Sequence, residues 1–365
     1  MAMRWGIGAG QGSGQGSGQG SGQGSGQGSG QGSGRAAHAG SESSTQLNFA
    51  LAMMGEAVTS IWQENAAYRP NVPKPPADSL DYLGSERRQI VLFAELARHI
   101  RVAGCRDQAT LYLGKDALAQ ISAPDIDLLG AQVTYLQSYS DLRADRIGEI
   151  NQQIDDLLSF FGAVALMNNG EREKTMELLA VTQSFAIMSE MTAKHICWTP
   201  RPITLEPRIF PIIQTPDHSS FPSGHAFEAF AMATVLDRLI TGQQAAHVGA
   251  VKGIRDQRLP FKVAHRIAVN RTVAGVHFPV DNAAGAILGV ALGEALIALA
   301  GVGQPLDLGS FTPGEGWFTV ADSPDFLLSG FYTEFLEHKT AKDVTECLVA
   351  DLWRKQFHTA TEEWS

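Results

Sequence analysis

SSFPSGHAFEAF, residues 219–230, joins a Pro-Ser-Gly-His tetrapeptide directly to an apolar segment. Residues 223–242, SGHAFEAFAMATVLDRLITG, continue with the spacing of a buried helix and end at Gly242, a helix stop signal. A helix N-terminus presents unpaired backbone N–H groups and the positive end of the helix dipole. Small, flexible residues at such an entrance therefore predict a site for an anion.

The segments around this stretch also have helical patterns. Amphipathic or apolar helical spacing is found in residues 44–68, 85–104, 140–168, 171–196, 261–278 and 279–301. No run of alternating residues makes a convincing strand. The sequence therefore predicts an all-α fold, in which a helical bundle core is joined by an additional N-terminal helical region.

The composition divides the chain into four parts. Residues 1–43 contain Gln-Gly-Ser-Gly repeats that cannot bury a core, and we expect this tail to be disordered. An N-terminal helical region follows over 44–154, and the core that carries the anion pocket over 155–302. A C-terminal helical tail fills 303–365, with two weaker helical stretches around 323–338 and 341–357. The Met-rich helix near residue 53 could serve a homo-oligomer interface, but we expect it to pack in the core.

Charge and hydropathy exclude several classes of partner. The formal net charge of -10 argues against a nucleic-acid surface, which needs clustered Lys and Arg. Residues 283–302 are long enough to span a bilayer, but they are rich in Ala and Gly and carry Glu294. We interpret them as the central helix of a bundle and predict no integral membrane span. The absence of an apolar leader and the odd number of cysteines favour a cytoplasmic protein, with export by another route left open.

Three clusters of residues carry the candidate chemistry. Six residues separate Lys194 from Arg201-Pro202, Pro-Ser-Gly-His spans 222–225, and Arg271 precedes a second histidine and an aspartate. Arginine forks suit tetrahedral oxyanions, and the backbone at a helix N-terminus adds neutral donors. Two histidines and a carboxylate can attack, move a proton and orient one another. The candidate site residues are Lys194, Arg201, Ser223, Gly224, His225, Arg271, His277 and Asp281.

These clusters resemble the superfamily that unites type 2 phosphatidic acid phosphatases, bacterial class A acid phosphatases and vanadium-dependent haloperoxidases. The signature is Lys, six residues, Arg-Pro; then Pro-Ser-Gly-His; then Ser-Arg, five residues, His, three residues, Asp. The sequence matches it except that Asn270 stands where Ser is usual. Since Asn can still donate a hydrogen bond, we expect a weakened contact there.

The resemblance implies a role for each matching residue. His277 would be the nucleophile that forms a phosphohistidine, and Asp281 would hold its ring in the useful tautomer. His225 would protonate the leaving oxygen and then activate water. The non-bridging oxygens would be held by Lys194, Arg201, Ser223, Gly224 and Arg271. The implied function is a phosphoric monoester hydrolase that acts on a small-molecule phosphate ester without a cofactor.

The same pocket in the haloperoxidases holds vanadate, so the motifs leave a second function open. The alternative is a vanadium-dependent haloperoxidase that oxidises bromide or iodide with hydrogen peroxide, with His277 as the vanadium ligand. His218, five residues before Ser223, resembles a histidine of algal bromoperoxidases, whereas Met191 stands where some haloperoxidases have tryptophan. We favour the phosphatase. A minor alternative is a non-catalytic helical scaffold with a relic phosphate pocket.

Overall fold

The computed structural model describes residues 45–59, 79–167, 170–242, 249–313, 325–346 and 348–365. The repeat tail expected to be disordered, residues 1–43, lies outside this described part of the chain. The fold is all-α in class, as predicted, with a few short strands added.

The helices are bounded as follows: α1 Thr45–Thr59, α2 Ser85–Leu96, α3 Ile126–Tyr139, α4 Arg143–Asp155, α5 Leu158–Ala165, α6 Glu173–Ile196, α7 Pro202–Leu205, α8 Gly224–Thr241, α9 Gly249–Arg255, α10 Leu259–Val273, α11 Pro279–Leu299, α12 Leu328–Gly330 and α13 Asp351–Glu362. The strands are β1 Ile100–Cys105, β2 Gln108–Leu113, β3 Asp116–Ser122, β4 Leu306–Asp307, β5 Gly309–Phe311 and β6 Thr340–Ala341. Single turns of 3-10 helix follow α3 and α7, and a π-helical turn, Phe331–Leu336, follows α12.

Helices α8 and α11 form the centre of the core. A Cβ atom on Gly285 would lie 2.4 Å from the carbonyl oxygen of Ser223, and one on Gly289 would lie 2.5 Å from that of Phe227. Glycine at both positions therefore allows the two helices to pack backbone against backbone. Helices α6 and α10 pack on α8 from its other sides. The site motifs sit at the ends of these four helices.

Helix α11 is the one described helix that is long and apolar enough to cross a membrane. Its most apolar window is 94% buried inside the protein. This burial confirms the interpretation of residues 283–302 as a central helix of the bundle.

Residues 100–122 form an antiparallel meander of β1, β2 and β3, and parallel pairing with β5 extends it. This segment lies inside the region 44–154 that we expected to be helical, and the helix expected over 85–104 ends at Leu96. The expectation was wrong for a physical reason. Ala109, Leu111 and Leu113 are buried at a spacing of two, and Arg106 and Asp107 both have positive φ between β1 and β2. Because Arg-Asp is not a usual pair for that turn, the hairpin signal was weak.

The helix predicted over 140–168 is two helices, α4 and α5, and two further differences lie at the two ends of the described chain. Phe49, Met53 and Met54 of α1 are exposed, so the Met-rich helix does not pack in the core. In the tail, the stretch expected around 341–357 begins as a helix only at Asp351, after the short strand β6. Helix α13 packs back onto the core, where the indole N–H of Trp353 donates to the carbonyl oxygen of Leu296 at 2.8 Å.

Candidate active site

A proline-rich loop, residues 197–223, connects α6 to α8 and brings three helix ends together. Lys194 lies in the last turn of α6, Ser223 is the N-cap residue of α8, and Asp281 lies in the first turn of α11. The backbone N–H of Ser223 donates to the carbonyl oxygen of Asp281 at 2.9 Å, which ties the starts of α8 and α11 to each other. The three motifs therefore meet at one place, as the sequence predicts.

Lys194 is buried, and its ammonium group is held by the loop. The Nζ atom donates to the carbonyl oxygens of Ser219 at 3.2 Å and Pro222 at 2.5 Å. Burial lowers the pKa of Lys194, and the nearby charge of Glu190 opposes that change. The ammonium group therefore lies directly beside the entrance of α8.

Arg201 and His277 contact each other inside the site. One guanidinium nitrogen of Arg201 lies 3.1 Å from Nε2 of His277 and also donates to the carbonyl oxygen of Val276 at 2.8 Å. A guanidinium can only donate, so Nε2 must be the acceptor and the ring proton must sit on Nδ1. The second guanidinium nitrogen lies 3.1 Å from Nδ1 of His218. Burial lowers the pKa of Arg201 to about 10, so it remains charged at neutral pH.

Asp281 accepts a hydrogen bond from the Nδ1–H group of His277. Its Oδ2 atom lies 3.1 Å from Nδ1 of His277, 2.6 Å from the hydroxyl of Ser220 and 2.9 Å from the backbone N of Phe278. Burial raises the pKa of Asp281 to about 6, against the hydrogen bonds from Ser220 and Phe278 and the charges of Arg201 and Lys194. Burial and the neighbouring cations hold the pKa of His277 well below its usual 6.5. His277 is therefore a neutral imidazole in one tautomer.

Ser223 and Gly224 form the entrance of α8 that the opening motif predicts. Ser223 is completely buried, yet its hydroxyl has no hydrogen-bond partner among the described residues. A buried polar atom without a partner costs free energy, unless a ligand supplies one. The hydroxyl therefore indicates that the site is built for a ligand with polar atoms.

Arg271, on α10, lies on the side of the site that is formed by α4. One of its guanidinium nitrogens donates to the side-chain oxygen of Gln153 at 2.9 Å and to the carbonyl oxygen of Ile150 at 3.3 Å, whereas its Nε atom has no described partner. Burial lowers the pKa of Arg271 to about 10, which leaves it positively charged at neutral pH. Its Nε–H is a second orphaned donor, and an oxyanion would satisfy it.

Asn270 does not make the weakened contact expected from its place in the signature. Its amide nitrogen donates to Glu149 at 2.7 Å and to Gln153 at 3.0 Å, and its oxygen accepts from Arg146 at 3.1 Å. These partners all lie on α4, because position 270 on α10 faces that helix. Asn270 therefore helps to hold Gln153, which in turn holds Arg271.

His225 lies in the first turn of α8, and its Nε2 atom is 2.9 Å from the carbonyl oxygen of Gln153. A carbonyl oxygen can only accept, so Nε2 carries the proton in this arrangement. Burial and the charge of Arg271 hold the pKa of His225 well below its usual 6.5. The ring is therefore neutral and positioned by the backbone of α4.

Two buried carboxylates, Glu190 and Glu228, complete the site. Glu228 accepts a hydrogen bond from the side-chain amide of Gln183 at 2.8 Å. Sequence reasoning missed Glu190, although its place four residues before Lys194 puts both on one face of α6. It also missed Gln153, for which the sequence carries no signal because the residue lies outside the three motifs.

A cavity of about 760 Å³ opens at these residues. Its lining includes His277, His225, Gly224 and Arg271, together with Glu190, Glu228, Gln153, Gln183 and His218. Its apolar lining residues are Ile154, Leu157, Ile187, Met191, Ile213, Pro216 and Val276. Arg201 and Ser223 are buried next to two of the lining residues, His277 and Gly224. The arrangement can hold a tetrahedral oxyanion among charged and neutral donors with an imidazole lone pair facing it.

Comparison with known protein families gives one result for this part of the chain. Residues 175–301 match the family model described as the PAP2 superfamily. No curated protein matches the chain. The match includes all eight predicted site residues, and members of this superfamily are generally phosphatases. Residues 175–301 therefore resemble a PAP2 superfamily domain, and this match supports the type 2 phosphatidic acid phosphatase superfamily for that part of the chain.

Proposed function

We propose that the protein is a phosphoric monoester hydrolase that works through a phosphohistidine on His277. The observation that carries this proposal is the fixed tautomer of His277. Its Nε2 lone pair accepts a hydrogen bond from Arg201, and the oxygens of an incoming phosphate can take over that donor. The orphaned donors of Ser223 and Arg271 support it, since phosphoryl transfer depends mainly on positioning and on charge stabilisation.

In the first step, Nε2 of His277 attacks phosphorus while the bond from phosphorus to the ester oxygen breaks. Arg201, which binds Nε2 in this structure, turns its N–H groups to the non-bridging oxygens and releases the lone pair. Lys194, Arg271 and the hydroxyl of Ser223 complete the set of donors around these oxygens. His225 gives a proton to the leaving oxygen, so the alcohol departs neutral.

In the second step, water attacks the phosphohistidine and phosphate leaves. His225, now unprotonated, takes a proton from that water, and the bond between phosphorus and Nε2 of His277 breaks. Asp281 keeps the proton of His277 on Nδ1 throughout, which restores the starting tautomer. The two steps consume one water and leave both histidines as they began.

His225 must be protonated for the first step, although its pKa is low in the structure. Arg271, Lys194 and Arg201 contribute to that low pKa through their positive charge. A bound phosphate dianion neutralises those charges, so we expect it to raise the pKa of His225. Substrate binding thus prepares the general acid.

The cavity supports a small-molecule ester with an apolar group. Its volume of about 760 Å³ exceeds what a phosphate alone requires, and its apolar lining residues can contact the leaving group. We expect the enzyme to act on such esters from the cytoplasm. No cofactor is needed for the steps described.

A vanadium-dependent haloperoxidase is the second candidate, and His218 is the observation that favours it. His218 lines the cavity and contacts Arg201, and burial lowers its pKa to about 4. The orphaned donors of Ser223 and Arg271 fit vanadate as well as phosphate, because both are tetrahedral oxyanions. Lys194, Arg201 and Arg271 would hold vanadate beside His277, and vanadate would supply peroxide activation.

A paired assay on one preparation tests the proposal, with His277→Ala as the control. Phosphate release from an aryl phosphate is followed without vanadate, and bromide- or iodide-dependent peroxide consumption is followed after loading with orthovanadate. We expect phosphate release that vanadate inhibits and His277→Ala abolishes. Halide oxidation with negligible ester hydrolysis would overturn the proposal in favour of the haloperoxidase. Absence of activity in both assays would favour a non-catalytic scaffold.

A further inference from the structure

Glu190 is an acidic residue that lies at the place in the site where a bound anion is expected. It is 6% exposed, it lines the cavity, and its Oε2 atom has no hydrogen-bond partner among the described residues. A Cβ atom on residue 224 would lie 2.4 Å from both of its carboxylate oxygens. The carboxyl group therefore packs directly against Gly224, at the helix entrance where the anion is expected.

Lys194 does not account for Glu190 as an ion-pair partner. The two residues lie one turn apart on α6, but the ammonium group of Lys194 donates to the carbonyl oxygens of Ser219 and Pro222 instead. An ionised Glu190 would thus lie beside an anion without a hydrogen-bonded cation and would repel that anion. Repulsion between like charges in a buried site is strong, because the surroundings screen it poorly.

The charges around Glu190 come from every element that packs on the site. Three buried cations, Lys194 of α6, Arg201 of the loop and Arg271 of α10, face three buried carboxylates, Glu190 of α6, Glu228 of α8 and Asp281 of α11. The neighbouring histidines are His218, His225 and His277. With all six buried groups ionised their charges balance, and Asp155 and Asp217 in the cavity lining add only negative charge, so nothing compensates the charge of an arriving dianion.

We propose that Glu190 is a further anion-binding residue, which takes up one proton when the anion binds and donates a hydrogen bond to it from its carboxyl group. Proton uptake removes one negative charge and turns an unpartnered acceptor into a donor. The inference rests on the proposed function, because it takes the oxyanion to lie at the entrance of α8. Burial also raises the pKa of Glu190 against the effect of Lys194 and Arg201, which makes protonation accessible near neutral pH.

Glu228 is the competing site for the proton. Burial and the charge of Glu190 raise its pKa, and it also lines the cavity. However, it already accepts a hydrogen bond from Gln183, which favours its ionised form. The geometry therefore assigns the proton to Glu190, whose carboxylate makes no such bond through Oε2.

The test measures sulfate binding to the full-length chain by calorimetry, in two buffers with different ionisation enthalpies. Sulfate is a tetrahedral dianion that does not itself titrate near neutral pH, so any proton taken up comes to the protein. At about pH 8, the wild-type protein is expected to take up at least about one proton per sulfate, and its affinity should fall by at least about tenfold per pH unit there. Glu190→Gln should take up about one proton less per sulfate than wild type and should bind sulfate at least about tenfold more tightly than wild type at about pH 8.

Two further variants complete the experiment. Glu294→Gln alters another buried carboxyl group outside the cavity and is expected to show wild-type proton uptake. Glu228→Gln should keep the uptake; loss of uptake in this variant but not in Glu190→Gln overturns the proposal and assigns the proton to Glu228. Uptake by Glu190→Gln that equals the wild-type uptake also overturns it, since Lys194 or a histidine must then account for all of the proton uptake.

The outcomes separate this inference from the proposed function. Sulfate binding by wild type without proton uptake contradicts the role of Glu190 and leaves the anion pocket intact. No sulfate binding by wild type at about pH 5, where carboxyl groups bear the least charge, contradicts the pocket itself and therefore the proposed function.

Discussion

Arg201 donates to Nε2 of His277 at a distance of 3.1 Å, and this contact decides the state of the imidazole. Because a guanidinium nitrogen can only donate, Nε2 of His277 carries the lone pair. This lone pair lies on the side of the site where the cations and the entrance of α8 converge. A positively charged neighbour also keeps the ring neutral, since it holds the pKa of His277 down. The same guanidinium therefore prepares the nucleophile and is positioned to bind the phosphate that the nucleophile attacks.

Asp281→Asn should impair the nucleophile without abolishing the binding of phosphate. The amide can present its nitrogen to Nδ1 of His277, which favours the wrong tautomer, so we expect kcat for an aryl phosphate to fall by about 10²- to 10⁴-fold. The inhibition constant for phosphate should change far less. Ser220→Ala, which removes one donor to the same carboxylate, is the milder control. Retention of wild-type kcat by Asp281→Asn would contradict the role of Asp281.

Ser223→Ala should weaken anion binding without a loss of stability. The hydroxyl has no partner in the described structure, so its removal deletes a buried polar group whose hydrogen bond is unmade. We expect an unchanged or slightly higher Tm and an inhibition constant for phosphate that rises about tenfold. Ser184→Ala, which removes a hydroxyl bonded to the carbonyl oxygen of Ala180 on α6, is the matched control and should leave that constant unchanged. A lower Tm with wild-type phosphate inhibition would identify Ser223 as structural.

Asn270→Ser introduces the residue that is usual in the signature, and the structure predicts no gain from it. Asn270 bonds to Glu149 and Gln153 on α4, and a serine is too short to keep both contacts. We expect a loss of about 1 to 3 kcal/mol in the free energy of unfolding, measured by urea denaturation, and no improvement in phosphate inhibition. Tighter phosphate inhibition in this variant would show that position 270 reaches the anion after all.

The buried Glu294 makes the free energy of unfolding depend on pH. Burial raises its pKa from an ordinary 4.5 to about 8. A carboxyl group whose pKa is raised by folding stabilises the protein fully below its unfolded pKa, and that contribution is lost as the pH rises through the folded pKa. Between about pH 4.5 and pH 8, Glu294→Gln should therefore become progressively more stable than wild type, by up to a few kcal/mol. Urea denaturation across this range measures the difference.

The exposed Glu362, in the last turn of α13, is the control for that experiment. Glu362→Gln should follow the wild-type stability curve at every pH. A constant difference between Glu294→Gln and wild type across the range would mean that folding does not shift the pKa of Glu294.

The motifs allowed much of the site to be predicted, because each one fixes a helix end. Lys194 ends α6, Ser223 opens α8 and Asp281 opens α11, so the spacing in the sequence already determines which groups can meet. Gln153 could not be predicted, since it reaches the site from α4 through tertiary packing alone. The same packing turned Asn270 toward α4.

The meander at 100–122 shows the complementary limit of sequence reasoning. Its strands are short, and one hairpin turns at Arg106 and Asp107, which are not typical residues for positive φ. Helical patterns on either side favoured a continuous helical interpretation. Pairing of β3 with β5, about two hundred residues away in the chain, completes the sheet through a contact that no local pattern carries.

The most direct test of the account is chemical trapping of the intermediate. The wild-type protein is mixed with an aryl phosphate, quenched rapidly under conditions that preserve acid-labile phosphoramidates, digested and analysed by mass spectrometry, with His277→Ala and Asp281→Asn in parallel. The account predicts one phosphoryl group on His277 in the wild-type protein, less of it in Asp281→Asn and none in His277→Ala. A phosphoryl group on another residue, or ester hydrolysis that persists in His277→Ala, would contradict the central claim that His277 is the nucleophile.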